Sequence, residues 1–153
     1  DRVLLLCAVP DRPEAEYGWI EAAEGAADAT ALVAGFREKP DPEEASALFR
    51  RGHLWNTMIM AAKAEALWEL GRLCLPEMVR SFETLLSAIG TPREPMALSI
   101  AYGSMKPRNF SKHILECHPE RAAVMPMRGV EWSDWGRPDR IQETLNRMTA
   151  VQA

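Results

Sequence analysis

At 153 residues, with 47% hydrophobic and 26% charged content, the chain has the make-up of one ordinary globular domain, long enough to bury roughly 70% of the surface its unfolded form would expose. A net charge of −4 and a pI near 5.5 exclude a broad basic face for nucleic acid or an anionic membrane, and leave room for a small basic pocket around one anionic ligand. No apolar run approaches the ~20 residues that span a bilayer and no signal-peptide pattern is present, so the expectation is a cytoplasmic protein with no membrane partner.

The first element begins almost at once. Residues 3–9 (VLLLCAV) form a continuous apolar run ended by Pro10, the pattern of a strand buried on both faces of a mostly parallel sheet. Such a strand needs neighbours, and with no initiator methionine before it the chain reads as a piece of a longer one. Residues 17–23 and 30–38 read as two more strands, with residues 24–29 as the turn between them. A well-marked helix follows. Asp41 is a good N-cap, Pro42 suits the first helical position, and Glu43 and Glu44 complement the positive end of the helix dipole. Ala45, Leu48 and Phe49 form its apolar stripe, and Gly52 stands where a C-terminal cap belongs.

Residues 54–61 (LWNTMIMA) read as a strand running into a helix over 63–73. Pro76 opens another helix, with Val79, Phe82, Leu85, Leu86 and Ile89 at helical spacing up to Gly90. Residues 97–102 read as a short strand, and Ser111 as the cap of a helix through Glu116. Residues 122–127 (AAVMPM) read as a strand weakened by Pro126, and 130–132 as a short extended piece. Pro138 opens a last helix with Ile141, Leu145 and Met148 as its stripe. Strands alternating with helices predict an α/β fold, a layered sheet flanked by helices in a single domain over residues 1–153.

Four short segments carry candidate chemistry. In FREKPD, residues 36–41, a chain with only four lysines places one at a strand end, where ligands of open α/β sheets gather. Alternation puts Phe36 and Glu38 on one face and Arg37 and Lys39 on the other, and Pro40 biases Lys39 toward an extended backbone. The functional reading is a phosphate or sugar clamp by Lys39 with Glu38 accepting hydroxyl protons; the plainer reading is a surface ion pair worth ~0–1 kcal/mol. In GHLWNT, residues 52–57, the amide of Asn56 offers a donor and an acceptor suited to paired hydroxyls beside the flat wall of Trp55, or else simply completes a turn. In EWSDWG, residues 131–136, Asp134 either holds a divalent cation or caps the turn before the last helix. In YGW, residues 17–19, the missing side chain of Gly18 would admit a ligand to the backbone.

Taken in order, YGWIEA, FREKPD with its capped helix, GHLWN, SIAYGSM and EWSDWG resemble the second half of the sugar-1-phosphate nucleotidyltransferases. The resemblance runs from Pro10 to about Arg140. It lies nearest the mannose-1-phosphate guanylyltransferases, whose segments read P-x-T-G-Y-G-Y-I, F-x-E-K-P, Y-x-W-N-S-G, S-I-D-Y-x-x-M-E and W-x-D-x-G. It implies a Rossmann-like mixed, mostly parallel sheet flanked by helices, with this chain as the sugar-phosphate half and the nucleotide-binding half, with its G-x-G-x-R loop, N-terminal to Asp1. By resemblance, Lys39 contacts the phosphate of a sugar 1-phosphate, and Glu38, Gly18 and Asn56 face the sugar. Asp134 is then one of two carboxylates that hold Mg²⁺. The implied substrates are a sugar 1-phosphate and a nucleoside triphosphate, GTP favoured, and the implied reaction releases pyrophosphate. Homo-oligomers are compatible with the pattern, and nucleic acid is not expected as a partner.

The departures are specific. Ala101 stands where the family has the aspartate of S-I-D-Y, Lys106 where it has glutamate, and Thr57-Met58 where it has Ser-Gly. A second class of function therefore stands beside the enzyme, a non-catalytic relative that keeps the fold to bind sugar nucleotides or to contact other subunits. The three cysteines, Cys7, Cys74 and Cys117, are widely spaced among apolar residues and read as buried thiols in a reducing compartment. His53, His113 and His118 are likewise read as ordinary histidines rather than metal ligands.

Overall fold

The computed structural model describes residues 1–23 and 30–151, so the turn expected over 24–29 lies outside the described residues. Five strands, β1 (Val3–Ala8), β2 (Gly18–Ala22), β3 (Ala31–Glu38), β4 (Leu54–Ala61) and β5 (Ala122–Met127), close into a small barrel in the order β1-β4-β2-β3-β5. Helices α1 (Pro42–Arg50), α2 (Ala64–Cys74), α3 (Pro76–Leu86), α4 (Glu94–Ser104) and α5 (Pro138–Val151) flank it. This is a mixed α/β architecture.

The sheet differs from the mostly parallel one expected. Only β1 and β5 run parallel; β1–β4, β2–β3, β2–β4 and β3–β5 are antiparallel. Connection length is the reason. A parallel pair cannot be joined by a tight turn, and β1 and β5 are separated by all the elements between them, whereas β2 and β3 follow each other closely enough to fold back as neighbours. Along β1 the side chains alternate: Val3, Leu5 and Cys7 are fully buried in the barrel with Ile20, Phe36 and Val124, while Leu4 and Leu6 are only half-buried. Pro126 is accommodated near the end of β5, opposite Cys7.

Two smaller expectations are corrected. Residues 97–102 are helical, as part of α4. The Glu94 carboxylate accepts the Gly90 N–H at 2.7 Å, Pro95 sits in the first turn, and Met96, Ala97 and Leu98 are better helix formers than strand formers. A closed barrel also offers no free edge for a sixth strand. The helix packs on α3, with the Phe82 and Tyr102 rings 6.2 Å apart, and leaves Met96 and Ile100 exposed. After it, Ser111 does not cap a helix. The Asn109 side chain accepts the Lys112 N–H at 2.9 Å, and Ser111 is buried as the first residue of a π-helical turn, Ser111–Leu115. Residues 130–132 form no strand.

Helix α1 follows the expected local rules. The Asp41 carboxylate accepts the Glu44 N–H at 2.8 Å, and Gly52 takes φ +75° just past the helix end, where its N–H reaches the Phe49 carbonyl at 3.0 Å. A second core cluster, Tyr17, Trp19, Trp55, Ala8, Ala45 and Leu48, lies between α1 and one end of the barrel. Its rings meet edge-on, with Tyr17 and Trp55 5.0 Å apart and Trp19 and Trp55 6.1 Å apart. This aromatic floor carries the site. The cysteines are more varied than expected, since Cys7 is buried, Cys74 half-buried and Cys117 exposed.

Candidate functional site

Three segments around the aromatic floor each carry a non-glycine residue in the left-handed region. Lys39 has φ +50°, Met58 +59° and Trp135 +48°. Such backbones cost of order 1–3 kcal/mol each and persist where the surroundings over-determine them, commonly at sites of function. For Lys39 this corrects the extended conformation expected from Pro40. The chain must turn sharply between the end of β3 and the Asp41 cap, and burial of the Pro40 ring holds that turn.

Beside these segments lies a cleft of about 420 Å³. Gly18 from β2, Glu38 and Lys39 from the end of β3, Asn56 from β4 and Asp134 from the loop before α5 all line it. All five residues singled out in the sequence are thus brought together. Glu16, Tyr17, Thr57, Met58, Ser111, Trp132 and Ser133 complete the wall.

Lys39 is exposed and forms no hydrogen bond or ion pair among the described residues. The ion pair expected at this strand end falls instead on Arg37, whose Nε lies 3.3 Å from the Glu44 carboxylate. Glu38 lies beside Gly18, its partner in the β2–β3 register. Asn56 is 5% exposed, and its amide is already engaged: Oδ1 accepts the Met58 N–H at 3.1 Å, and Nδ2 donates to the Met58 sulfur at 3.1 Å. The turn-forming role considered for it is therefore real.

That turn is a bulge. Leu6 pairs with Ile59 and Cys7 with Asn56, so Thr57 and Met58 are pushed out of the ladder. The Thr57 hydroxyl donates to the Leu6 carbonyl and accepts from the Ile59 N–H, repairing the interruption, while Met58 swings to the Ser111 hydroxyl at 3.2 Å. The Thr57-Met58 departure from the expected Ser-Gly signals this position in the sequence, but nothing there shows that it bulges into the cleft.

Asp134 faces the same cleft as Lys39. One of its oxygens accepts the Gly136 N–H at 3.0 Å, which is the expected turn-capping bond, yet backbone amides do not saturate it. Both oxygens also accept from Nη1 of Arg140, at 2.7 and 2.8 Å. Partial burial works against the charged form of Asp134, but the Gly136 N–H and the Arg140 guanidinium outweigh it and hold the carboxyl below the usual aspartate range. Arg140 in turn is 5% exposed and sits over the Tyr17 ring at 4.5 Å. Among the described residues the buried Tyr17 hydroxyl has no hydrogen-bond partner of ordinary geometry, although it lies near enough to help keep Asp134 ionised. No spacing in the sequence pointed to Arg140.

The sequence model of the family described as "Nucleotidyl transferase" matches residues 2–150. The chain belongs to the nucleotidyl transferase family. It is 25% identical over 140 residues to mannose-1-phosphate guanylyltransferase RfbM of Salmonella typhimurium, covering 91% of this chain and 29% of that protein. A crystal structure described as mannose-1-phosphate geranyltransferase from Thermus thermophilus superimposes with a TM-score of 0.71 at 32% identity, over 86% of this chain and 36% of that one. A mannose-6-phosphate isomerase structure from Helicobacter pylori shares the fold at a TM-score of 0.68 and 14% identity, over 87% and 52% of the two chains. The chain thus spans about a third of the length of the first two relatives.

For a nucleotidyl transferase, the positions of the departures are informative. Ala101 is the buried residue of α4, and Lys106 lines a separate cavity of about 250 Å³ with Cys74, Ser81 and Arg108; neither touches the 420 Å³ cleft. Only Thr57 and Met58 lie within it. The Mg²⁺ expected from the resemblance would find a single carboxylate arm here, Asp134, whose oxygens already accept from Arg140. Asp134 is an ionised carboxylate on the cleft wall, and Mg²⁺ is ordinarily held by one or two carboxylates with water and substrate phosphate supplying the rest. Among the described residues, no three His, Cys, Asp or Glu side chains gather for a cation, and no helix is long and apolar enough to cross a membrane.

Proposed function

We propose that this chain is the sugar-phosphate-binding part of a sugar-1-phosphate nucleotidyltransferase, with mannose 1-phosphate and GTP as the substrates of the whole protein. One observation carries the reading: the ammonium of Lys39, unpaired among the described residues, shares a cleft with Glu38, Gly18, Asn56 and Asp134. An unpaired cation on a cleft wall suits a phosphate monoester, and a carboxylate beside it suits vicinal hydroxyls. Gly18 lets the Glu38 carboxylate lie against its bare backbone, facing the sugar from the cleft wall, and Trp132 supplies a flat side wall.

In the reaction, an oxygen of the sugar phosphate attacks the α-phosphorus of the nucleoside triphosphate. The P–O bond to the β-phosphate breaks, and pyrophosphate leaves. Lys39 binds the attacking phosphate and turns one oxygen toward the α-phosphorus, and Glu38 fixes the sugar by accepting from its hydroxyls. Asp134 would hold Mg²⁺, which supplies charge neutralisation on the phosphate oxygens. Positioning and charge neutralisation are most of what phosphoryl-type transfer asks of a protein.

The test is a titration of mannose 1-phosphate into the intact protein, with pyrophosphate release measured in the presence of GTP. Micromolar to millimolar binding that needs Lys39, and sugar-dependent release of pyrophosphate, are expected. Sugar-phosphate binding that is unchanged in K39A would sink the reading. A second reading, a non-catalytic relative that binds sugar nucleotides, is favoured by the Asn56 amide being engaged by Met58 and by both Asp134 oxygens being held by Arg140. Ligand binding without pyrophosphate release would select it.

A further inference from the structure

We propose that Arg140 is a positioning residue, whose guanidinium forks between Asp134 and Glu16 and so sets the carboxylate that receives a divalent cation in the cleft. The inference rests on the metal-binding role proposed for Asp134.

The fork is built from two directions. Nη1 donates to both oxygens of Asp134 at 2.7 and 2.8 Å, and Nη2 donates to Glu16 Oε2 at 2.6 Å, with Glu14 Oε2 at 3.5 Å. Its plane is fixed by the Tyr17 ring, 4.5 Å from the guanidinium carbon, and that ring is itself wedged between Trp55 and Trp132, each 5.0 Å away. The side chain is almost wholly buried in the first turn of α5, so it cannot swing aside at low cost. Asp134, by contrast, is about one-third exposed and opens onto the cleft. Arg140 therefore joins α5, the segment leading into β2 and the loop of Asp134 through one rigid group.

Charge neutralisation alone does not explain this arrangement. Glu14, Glu16 and Asp134 place three carboxylates around one buried guanidinium, and Glu16 takes a second cation, Arg137, on its outer oxygen at 3.1 Å. Glu14 takes a third cation, Arg12, at 3.9 Å, so the three carboxylates are balanced in charge, and Asp134 and Glu16 are the two that line the cleft. What a planar fork adds over a point charge is direction: it fixes two carboxylates relative to each other. Partners that orient a metal-binding carboxylate in this way commonly affect cation affinity by about 10- to 100-fold.

The experiment uses Mn²⁺ alone as the probe, with its binding to the intact protein followed by electron paramagnetic resonance beside a thermal melt. D134N should weaken Mn²⁺ binding at least ~10-fold; a wild-type Kd in D134N overturns the metal reading and this inference with it. R140K keeps the charge but loses the fork, and should weaken Mn²⁺ binding by about 10-fold. Should R140K melt early, E16Q serves instead. Glu16 is half exposed, so its loss leaves the core intact, and it should weaken Mn²⁺ in the same direction by unanchoring the guanidinium. If D134N loses Mn²⁺ while a folded R140K or E16Q binds it as well as wild type, or more tightly, Arg140 positions nothing and the inference fails with the metal reading intact.

Discussion

The Glu38 carboxylate lies against the bare backbone of Gly18. A Cβ added at residue 18 would sit 2.9 Å from Glu38 Oε2, 3.1 Å from Phe36 Cζ and 3.3 Å from Asn56 Cβ. The Phe36 ring is fully buried and cannot retreat, so G18A should destabilise the protein by about 1–3 kcal/mol, as overpacking does. Because the displaced groups are those assigned to the sugar, affinity for mannose 1-phosphate should fall as well. Urea unfolding together with a ligand titration checks both, and a G18A protein with wild-type stability would mean that Glu38 is free to move aside.

Lys39 separates a backbone effect from an ammonium effect. In K39A the positive φ remains strained, and in K39G it does not, so K39G should be about 1 kcal/mol more stable than K39A. Both lose the ammonium. Each should weaken sugar-phosphate binding by ~10- to 100-fold, equivalent to a charge-assisted hydrogen bond of about 1.5–3 kcal/mol. Chemical denaturation and calorimetric titration of the two variants give the comparison. A difference in affinity between them as large as their joint loss would assign the effect to the loop rather than the charge.

His53 should give the fold an acid sensitivity. Burial lowers its pKa below the ordinary 6.5, with Glu21 opposing this and Arg51 adding to it, and its Nε2 is buried without a partner among the described residues. The unfolded chain then takes up a proton that the folded one resists. Stability is therefore full above pH ~6.5 and falls as the pH drops below it toward the lower folded pKa. Denaturation midpoints measured between pH 7.5 and 5 should decline in the wild type and decline less in H53Q. Equal slopes would remove His53 as the cause.

The three thiols should react in a fixed order. Burial pushes the Cys7 thiol up to about 12 despite a backbone hydrogen bond that works the other way, and the side chain is fully enclosed. Burial also raises Cys74, more mildly, while Cys117 is exposed. A chromogenic disulfide reagent at pH 8 should therefore modify Cys117 first, Cys74 slowly, and Cys7 only after denaturation. Mass spectrometry of the time course identifies the sites. Early modification of Cys7 would show that the barrel opens in the native state.

Local chemistry was sufficient for much of this molecule. The Asp41 cap, Pro42 and Gly52 bound α1 in the sequence as they do in the structure, because each acts through bonds to residues within a few positions. Strands β1 to β5 were legible from apolar runs ended by proline, glycine or polar residues, and the order of the EKP, WN and WxDxG segments pointed to the family and to five residues of one cleft. What the sequence left open depends on contacts between distant residues. Barrel closure pairs β1 with both β4 and β5, and α4 is helical partly because that closure leaves no edge to join. The outward bulge at Thr57-Met58 arises from the register with Leu6 and Cys7, some fifty residues away. Arg140 reads as one more charge on an exposed helix until folding carries Glu16, 124 positions earlier, to within 2.6 Å of it. Caps and turns are decided by neighbours along the chain, and strand register and buried ion pairs by neighbours in space.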